Sequence, residues 1–367
     1  MHGLERHGEP VHAPAPGRPV PTFAAAVTTI AGLEIRQRIR STRWKRTLAA
    51  LFVLVSALVL GSLWLAVIAG ATYAEWSRYL YELSLGLVLF LGLAAAPTMS
   101  ATSINGDRRD ATLAPVQATP ISSMELTVGK WLGSWAAALT LIAVAAPYLV
   151  WGTFTGAVSV LAALGGVVVT ALLLGCYCAL GLGFSALTAR PAASAMLTQA
   201  TVLLLLIGLP IGFGMTLPLL TSQHALPQAR YTWTDSGRTC ADVVAPTSSL
   251  HTERTWWLLA PNPLLIVTDN VAAGVDREPD ETGPGPSVLL SLAQSGARSG
   301  PFPGGSACAD TWRSRQLAEQ AHAARYIGHT WYLGLLVNLA IGGLGLAIAS
   351  RRLRVPARRL PKGVRVA

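Results

Sequence analysis

Charged side chains are scarce in this chain. Asp, Glu, Lys and Arg make up 13% of its 367 residues, whereas 52% are hydrophobic; soluble domains carry roughly 25% charged residues. That balance excludes an ordinary water-soluble globule and indicates a membrane protein. No G-x-x-x-x-G-K-[ST] loop occurs: Gly129-Lys130 lacks both the earlier glycine and a following Ser or Thr, which excludes ATP binding by this chain through such a loop. G-x-S-x-G, H-E-x-x-H and C-x-x-C are absent as well, and no nucleophile or acid–base pair stands out, so the chain is not read as an enzyme. The net charge of +10 could suit nucleic acid. The basic residues, however, sit in short segments beside apolar runs, a membrane-topology pattern, and no nucleic-acid partner is expected.

Residues 1–22 are rich in Pro, Gly and His and lack an apolar core. They read as a disordered cytoplasmic tail with no signal peptide. His2, His7 and His12 recur there without Cys or carboxylate partners, so no metal site is assigned. Residues 23–46 follow a helical period, with Val27, Ile30, Ile35 and Ile39 apolar and Arg36, Arg40 and Arg43 on a basic stripe. Such a helix lies on an anionic lipid surface, or its charges only set topology; both readings place it inside the cell.

Crossing a hydrocarbon core of about 30 Å takes about 20 apolar residues. Six stretches qualify: 48–69, 80–99, 131–151, 158–187, 193–217 and 331–350. The expected fold is therefore an all-α six-span bundle over 47–350, with an amphipathic helix before it and a basic tail, 351–367, after it. An even span count puts both ends on one side. Arg108, Arg109, Lys130, Arg190 and the basic tail share that side, which the positive-inside rule makes cytoplasmic. Within the spans ionisable groups are nearly missing; Glu82 is the clearest exception and reads as an interfacial residue near Arg78. Ion-coupled transporters keep such groups at mid-depth, so energy for any transport would come from elsewhere. Small residues at four-residue spacing are candidate packing seams: Gly175, Ala179 and Gly183 in span four, Gly208 and Gly212 in span five, Gly343 and Ala347 in span six. Pro97, Pro147 and Pro210 should kink or end their spans.

Two loops are long. The cytoplasmic one, 100–130, holds Asp107, Arg108, Arg109 and Asp110 in a row after Asn105-Gly106, and a break at Thr119-Pro120. Ser122 and Glu125 then have the spacing of a capping box that opens span three. Between the breaks, 108–117 can form only a short helix, weakened by Pro115. The other loop, 219–329, is expected outside the cell: polar over 221–254, a re-entrant or interfacial segment over 256–275 broken by Pro261-Asn262-Pro263, Gly/Pro/Ser-rich and mobile over 278–306, and helical over 309–325. Its four histidines, His224, His251, His322 and His329, lack zinc-ligand spacing. Of four cysteines, Cys176 and Cys178 read as core residues. Cys240 and Cys308 are the two in the outer loop, where oxidation is permitted, and are predicted to form a disulfide.

The run I-N-G-D-R-R-D-A-T-L, then A-T-P-I-S-S-M-E-L and G-K, resembles the first cytoplasmic loop of type-2 ATP-binding-cassette (ABC) exporter permeases, which carries their coupling helix. Ala111 stands where that family usually has Gly, and Pro115 where Leu is common. L-E-I-R-Q-R-I-R-S-T-R-W is similar to the family's elbow helix, and L-T-A-R-P-A-A-S, L-L-A-P-N-P and the closing R-R-L-R-V-P-A-R-R-L-P-K-G-V-R-V-A occur in the family's order, the last resembling permeases of high-GC Gram-positive bacteria. The resemblance implies a half-transporter in the plasma membrane that pairs with a second copy or homologue. Separate ATPase subunits, holding the ATP and magnesium that this chain does not bind, would grip the elbow and the helix over 107–117. Arg108, Arg109, Asp110, Thr112 and Leu113 would be the ATPase contacts, with Arg36 and Arg40 in support. Apolar walls favour a hydrophobic or amphipathic cargo. The competing reading is a membrane-anchored sensor or binding module built on the 219–329 loop. If Cys240 and Cys308 are joined, a thiol alkylator applied to the intact protein labels neither until reductant is added; labelling of both without reductant rules the bridge out.

Overall fold

The computed structural model describes residues 21–113, 119, 121–234, 237–275, 284–302, 308 and 312–354. The 1–22 tail, apart from its last two residues, and the basic tail beyond 354 lie outside the described residues. Helix α1 runs Phe23–Arg40. It stops there rather than at 46, because the Ser41 hydroxyl accepts from the Trp44 amide and caps a new helix, α2, Thr42–Ile68. A single turn, α3 (Tyr73–Arg78), opens on a capping box between Thr72 and Glu75. Then come α4 (Leu80–Ala101), short α5 (Ser103–Arg109), α6 (Ser123–Thr155) and α7 (Val160–Leu187). Helix α6 starts at the Ser122–Glu125 capping box, eight residues before the apolar stretch that marks its span.

The fifth span is segmented: α8 (Pro191–Leu203), a π turn (Leu204–Gly208), α9 (Leu209–Thr216) and a 3-10 turn (Leu217–Leu220). After it come two antiparallel strands, β1 (Thr221–Thr234) and β2 (Gly237–Leu250), then α10 (Pro263–Ala272), α11 (Pro286–Ser299), α12 (Trp312–Ala323) and α13 (Trp331–Arg352). Six helical stretches are long and apolar enough to cross a membrane. The bundle has a basic end, where Arg108 and Lys130 lie, and a hairpin end. Spans two, three, four and six form its middle. Spans one and five are peripheral, with 11% of their most apolar stretch buried against 39–50% in the others.

Close helix contact runs along α7 and α13. A Cβ on Gly183 would come within 2.8 Å of the Gly345 Cα, one on Gly345 within 2.9 Å of the Ala179 carbonyl carbon, and one on Gly342 within 2.9 Å of the Cys176 Cα. Gly175 serves another face: a Cβ there would meet the Trp135 indole at 3.1 Å, and its carbonyl accepts from Trp131 Nε1 at 2.9 Å. The span-five stripe is not a seam in this chain. Gly212 faces open space, and Gly208 approaches only Leu204 of its own span. In span six the seam is Gly342 and Gly345; Gly343 also faces open space. Pro97 and Pro147 sit inside continuous helices, whereas Pro210 is the second residue after the π turn. Having no amide hydrogen, Pro210 leaves the Leu206 carbonyl without its helical donor. Asn262 Nδ2 supplies one at 2.9 Å, while Asn262 Oδ1 caps α10 through the Leu264 and Leu265 amides.

Two more polar anchors fix the hairpin end. Asn338, buried in α13, accepts from the Tyr177 hydroxyl at 2.7 Å and donates to the Pro261 carbonyl at 2.9 Å. Asp269, 1% exposed on α10, accepts at one oxygen from the Thr330 and Trp331 amides and at the other from the Gly328 amide, each at 2.8 Å, and from the Ser291 hydroxyl at 2.5 Å. It thereby caps the last span in trans. The segment read as polar loop is a ribbon, with Tyr231 opposite Cys240 in register, and Cys240 is joined to Cys308, Cα–Cα 5.7 Å. His224 and His251 meet at 2.7 Å between their Nε2 atoms, yet no group of three metal ligands forms among the described residues. Part of the stretch read as mobile is the amphipathic helix α11. Replacing Asp269 by Asn turns an amide NH2 toward backbone donors that need acceptors. The expected loss is about 3 kcal/mol, read as a lowered thermal midpoint of the purified protein; an unchanged midpoint would contradict the capping role.

Candidate functional site at the basic end

The elbow, α1, buries Ala26, Val27, Ile30 and Ala31. It lies close against α6, because a Cβ on Gly129 would meet Ile30 at 2.6 Å and one on Gly133 would meet Glu34 at 2.6 Å. Its next turn is polar and faces the same way. Arg38 Nη1 donates to the Gly133 carbonyl at 3.0 Å and lies 3.5 Å from Glu34. On the far side of α1, Arg36 and Arg40 are exposed, the basic stripe expected there.

Lys130 is the centre of this end. Its side chain is 6% exposed, with Nζ 2.8 Å from Glu34 Oε1 and 2.6 Å from Asp107 Oδ2. Three segments far apart in sequence, the elbow, α5 and the base of span three, are thus tied by one buried ammonium between two carboxylates. With Arg38 the charges cancel, which an apolar surrounding requires.

Helix α5 is fastened at both ends. Its leading amides, Ile104 and Asn105, both donate to Ser185 Oγ at 3.1 Å, so span four caps it in trans. Asn105 Nδ2 donates to Thr188 Oγ1 at 3.1 Å and Arg108 Nη1 to the Ala186 carbonyl at 3.4 Å. At the other end the Thr112 amide reaches the Asp107 carbonyl at 2.9 Å and the Ala111 amide the Arg108 carbonyl at 3.3 Å. This is a Schellman stop, and Ala111 takes its left-handed position with φ 55°. A side chain is strained there and glycine is not, which gives a physical reason for glycine to be the usual residue at this point of the resembling loops.

A single short helix over 107–117 is therefore corrected. The helix covers Ser103–Arg109 and is closed by Asp110 to Thr112, while 114–118 lie outside the described residues. Of the residues assigned to partner contact, Arg108, Arg109, Asp110 and Thr112 are exposed, with Arg109 and Asp110 paired at 2.9 Å. Leu113 is buried, packed with Ile30, Ile104, Leu126, Leu182, Ala349 and Leu353, so it anchors the segment from beneath. Glu34, Asp107, Lys130 and Ser185 complete the site from positions far apart in the sequence. Lys130 beside an apolar run reads as a topology marker, and its partners carry no local spacing signal.

Residues 28–259 match the family model described as ABC-2 family transporter protein. No curated protein matches the chain. With well over half of its length matched, the chain belongs to the ABC-2 transporter family. It is a multi-pass membrane permease component of an ABC transporter, a family role that implies an ATPase subunit as partner. Replacing Lys130 by Met would leave Glu34 and Asp107 facing each other without their shared cation. The expected cost is about 3–5 kcal/mol, with part of it recovered on adding Glu34→Gln; thermal unfolding of the two variants checks this, and equal stability of Lys130→Met and wild type would refute it.

Proposed function

We propose that this chain is the membrane half of an exporter in the plasma membrane, with the basic end and both termini in the cytoplasm and the hairpin end outside. Separate ATPase subunits hold ATP and magnesium and dock on the exposed surface around Arg108, Arg109, Asp110 and Thr112, with Arg36 and Arg40 alongside. A second copy or homologue of the chain completes the transporter, and lipids surround it. The cargo is hydrophobic or amphipathic and moves outward by alternating access.

The observation that carries this reading is the set of connections behind that surface. Helix α5 follows span two after one residue, is capped by Ser185 of span four, and is tied through Asp107 and Lys130 to span three and the elbow. A push delivered there reaches three spans together. Close packing allows two arrangements of such a bundle rather than gradual bending, and closure of the ATPase pair would favour one of them by the difference in its affinity for the two.

Reversing charge with Arg108→Glu and Arg109→Glu should abolish co-purification of the ATPase and its stimulation in liposomes while membrane insertion persists. Undiminished co-purification would overturn the docking assignment.

A further inference from the structure

A cavity of about 810 Å³ lies between spans one and two on one side and α10 and α11 on the other. Its size falls in the range of about 300–1,000 Å³ typical of small-molecule sites. Most of its wall is aliphatic, from Ala66 on α2, Leu85 on α4 and Val267 on α10. Leu83 and Leu289 belong to the lining and are also 40% and 51% exposed, so one side of the rim is apolar and suits entry from hydrocarbon.

Its charged lining is of one sign. Glu75 and Glu82 line it, and among the described residues no lysine, arginine or histidine does. Glu82 Oε2 accepts from the Ser287 amide and Oε1 from the Ser287 hydroxyl, each at 2.8 Å. A carboxylate has further lone pairs for another donor, and no cationic side chain among the described residues lies in ion-pair range of Glu82. At the rim, hydrogen bonds from the Thr72 backbone amide and hydroxyl hold the Glu75 carboxyl below its ordinary range, so it is ionised at neutral pH. The rings of Trp76 and Tyr79 complete the lining. Aromatic faces attract cations, and a half-buried carboxylate without a counter-charge gains from one.

We infer that this cavity binds an organic cation with a drug-sized apolar body, the body against the aliphatic walls and the cation at Glu82 and the aromatic rings. Carboxyl groups offer a phosphate no donor and no positive charge, which argues against an anionic phospholipid as the occupant. Identifying the occupant with the transported cargo rests on the proposed function; binding itself does not.

Tetraphenylphosphonium and tetraphenylborate are probes of one shape and opposite charge. Equilibrium dialysis of labelled tetraphenylphosphonium against the full chain in phosphatidylglycerol nanodiscs, with empty discs subtracted, should give saturable binding, whereas labelled tetraphenylborate dialysed in a separate experiment should give none. Glu82→Gln, whose amide oxygen can still accept from Ser287, should weaken it about tenfold. Gly86 lines the cavity and a Cβ there meets nothing within 4 Å, so Gly86→Phe should fill the space and abolish binding. Equally strong saturable binding of tetraphenylborate in its own dialysis overturns the proposal without recourse to any variant. Undiminished binding by Glu82→Gln or Gly86→Phe, or displacement by added phosphatidylethanolamine, which would assign the site to lipid, also overturns it. No ATPase is present in this assay, so a negative result leaves the docking assignment to be judged by co-purification alone.

Discussion

One ammonium group, Lys130 Nζ, holds the basic end together. An unpaired charge at that depth would be costly, so Lys130 fixes where Glu34 and Asp107 must be, and with them the elbow and the short helix α5. The elbow could otherwise float on lipid, and α5, a helix of two turns, could not persist alone. Packing adds to this: Ile30, Ile104, Leu113 and Leu353 close an apolar cluster beneath the exposed charges. Adhesion and transmission therefore use the same atoms. In the proposed docking an external subunit meets Arg108, Arg109 and Asp110, and behind them Ser185 and Lys130 connect α5 to spans four and three and to the elbow.

The hairpin end follows a related rule with backbone groups in place of charges. Asn262 joins the Pro261-Asn262-Pro263 turn to span five, while Asp269 and Asn338 join α10 and that turn to span six. A broken, partly apolar segment is tolerable near lipid only where its peptide groups find partners in protein, and these side chains are those partners. They turn a segment that cannot cross the membrane into a plug for the bundle's end.

Much of this was legible in the sequence. Apolar run length located six spans, the Ser122–Glu125 spacing marked the start of span three, and Pro261-Asn262-Pro263 marked the break before α10. What escaped notice depended on distant partners. The elbow looked longer because Arg43 continues its basic stripe, although Ser41 ends it by capping the next helix. In the ribbon, β2 is exposed on both faces over its first six residues and alternates only beyond them, with polar Ser249 at its one buried position, so it lacks the one-sided apolar alternation by which strands are recognised, and Pro227 and Pro246 argue against strands. The seam in span six falls at Gly342 and Gly345 because the facing helix selects which of several glycines is buried. Ser185 resembles any serine at a helix end until the amides of α5 are placed above it.

Pro210 and Asn262 make the shape of the fifth span conditional. Were that rod to straighten or slide past its neighbour, the oxygen of Leu206 would lose the donor that Asn262 supplies and the cap of α10 would be disturbed in the same movement. Curvature in a peripheral span is in this way registered at the rim above it, and the rim cannot be rebuilt without restating how far that rod is allowed to lean.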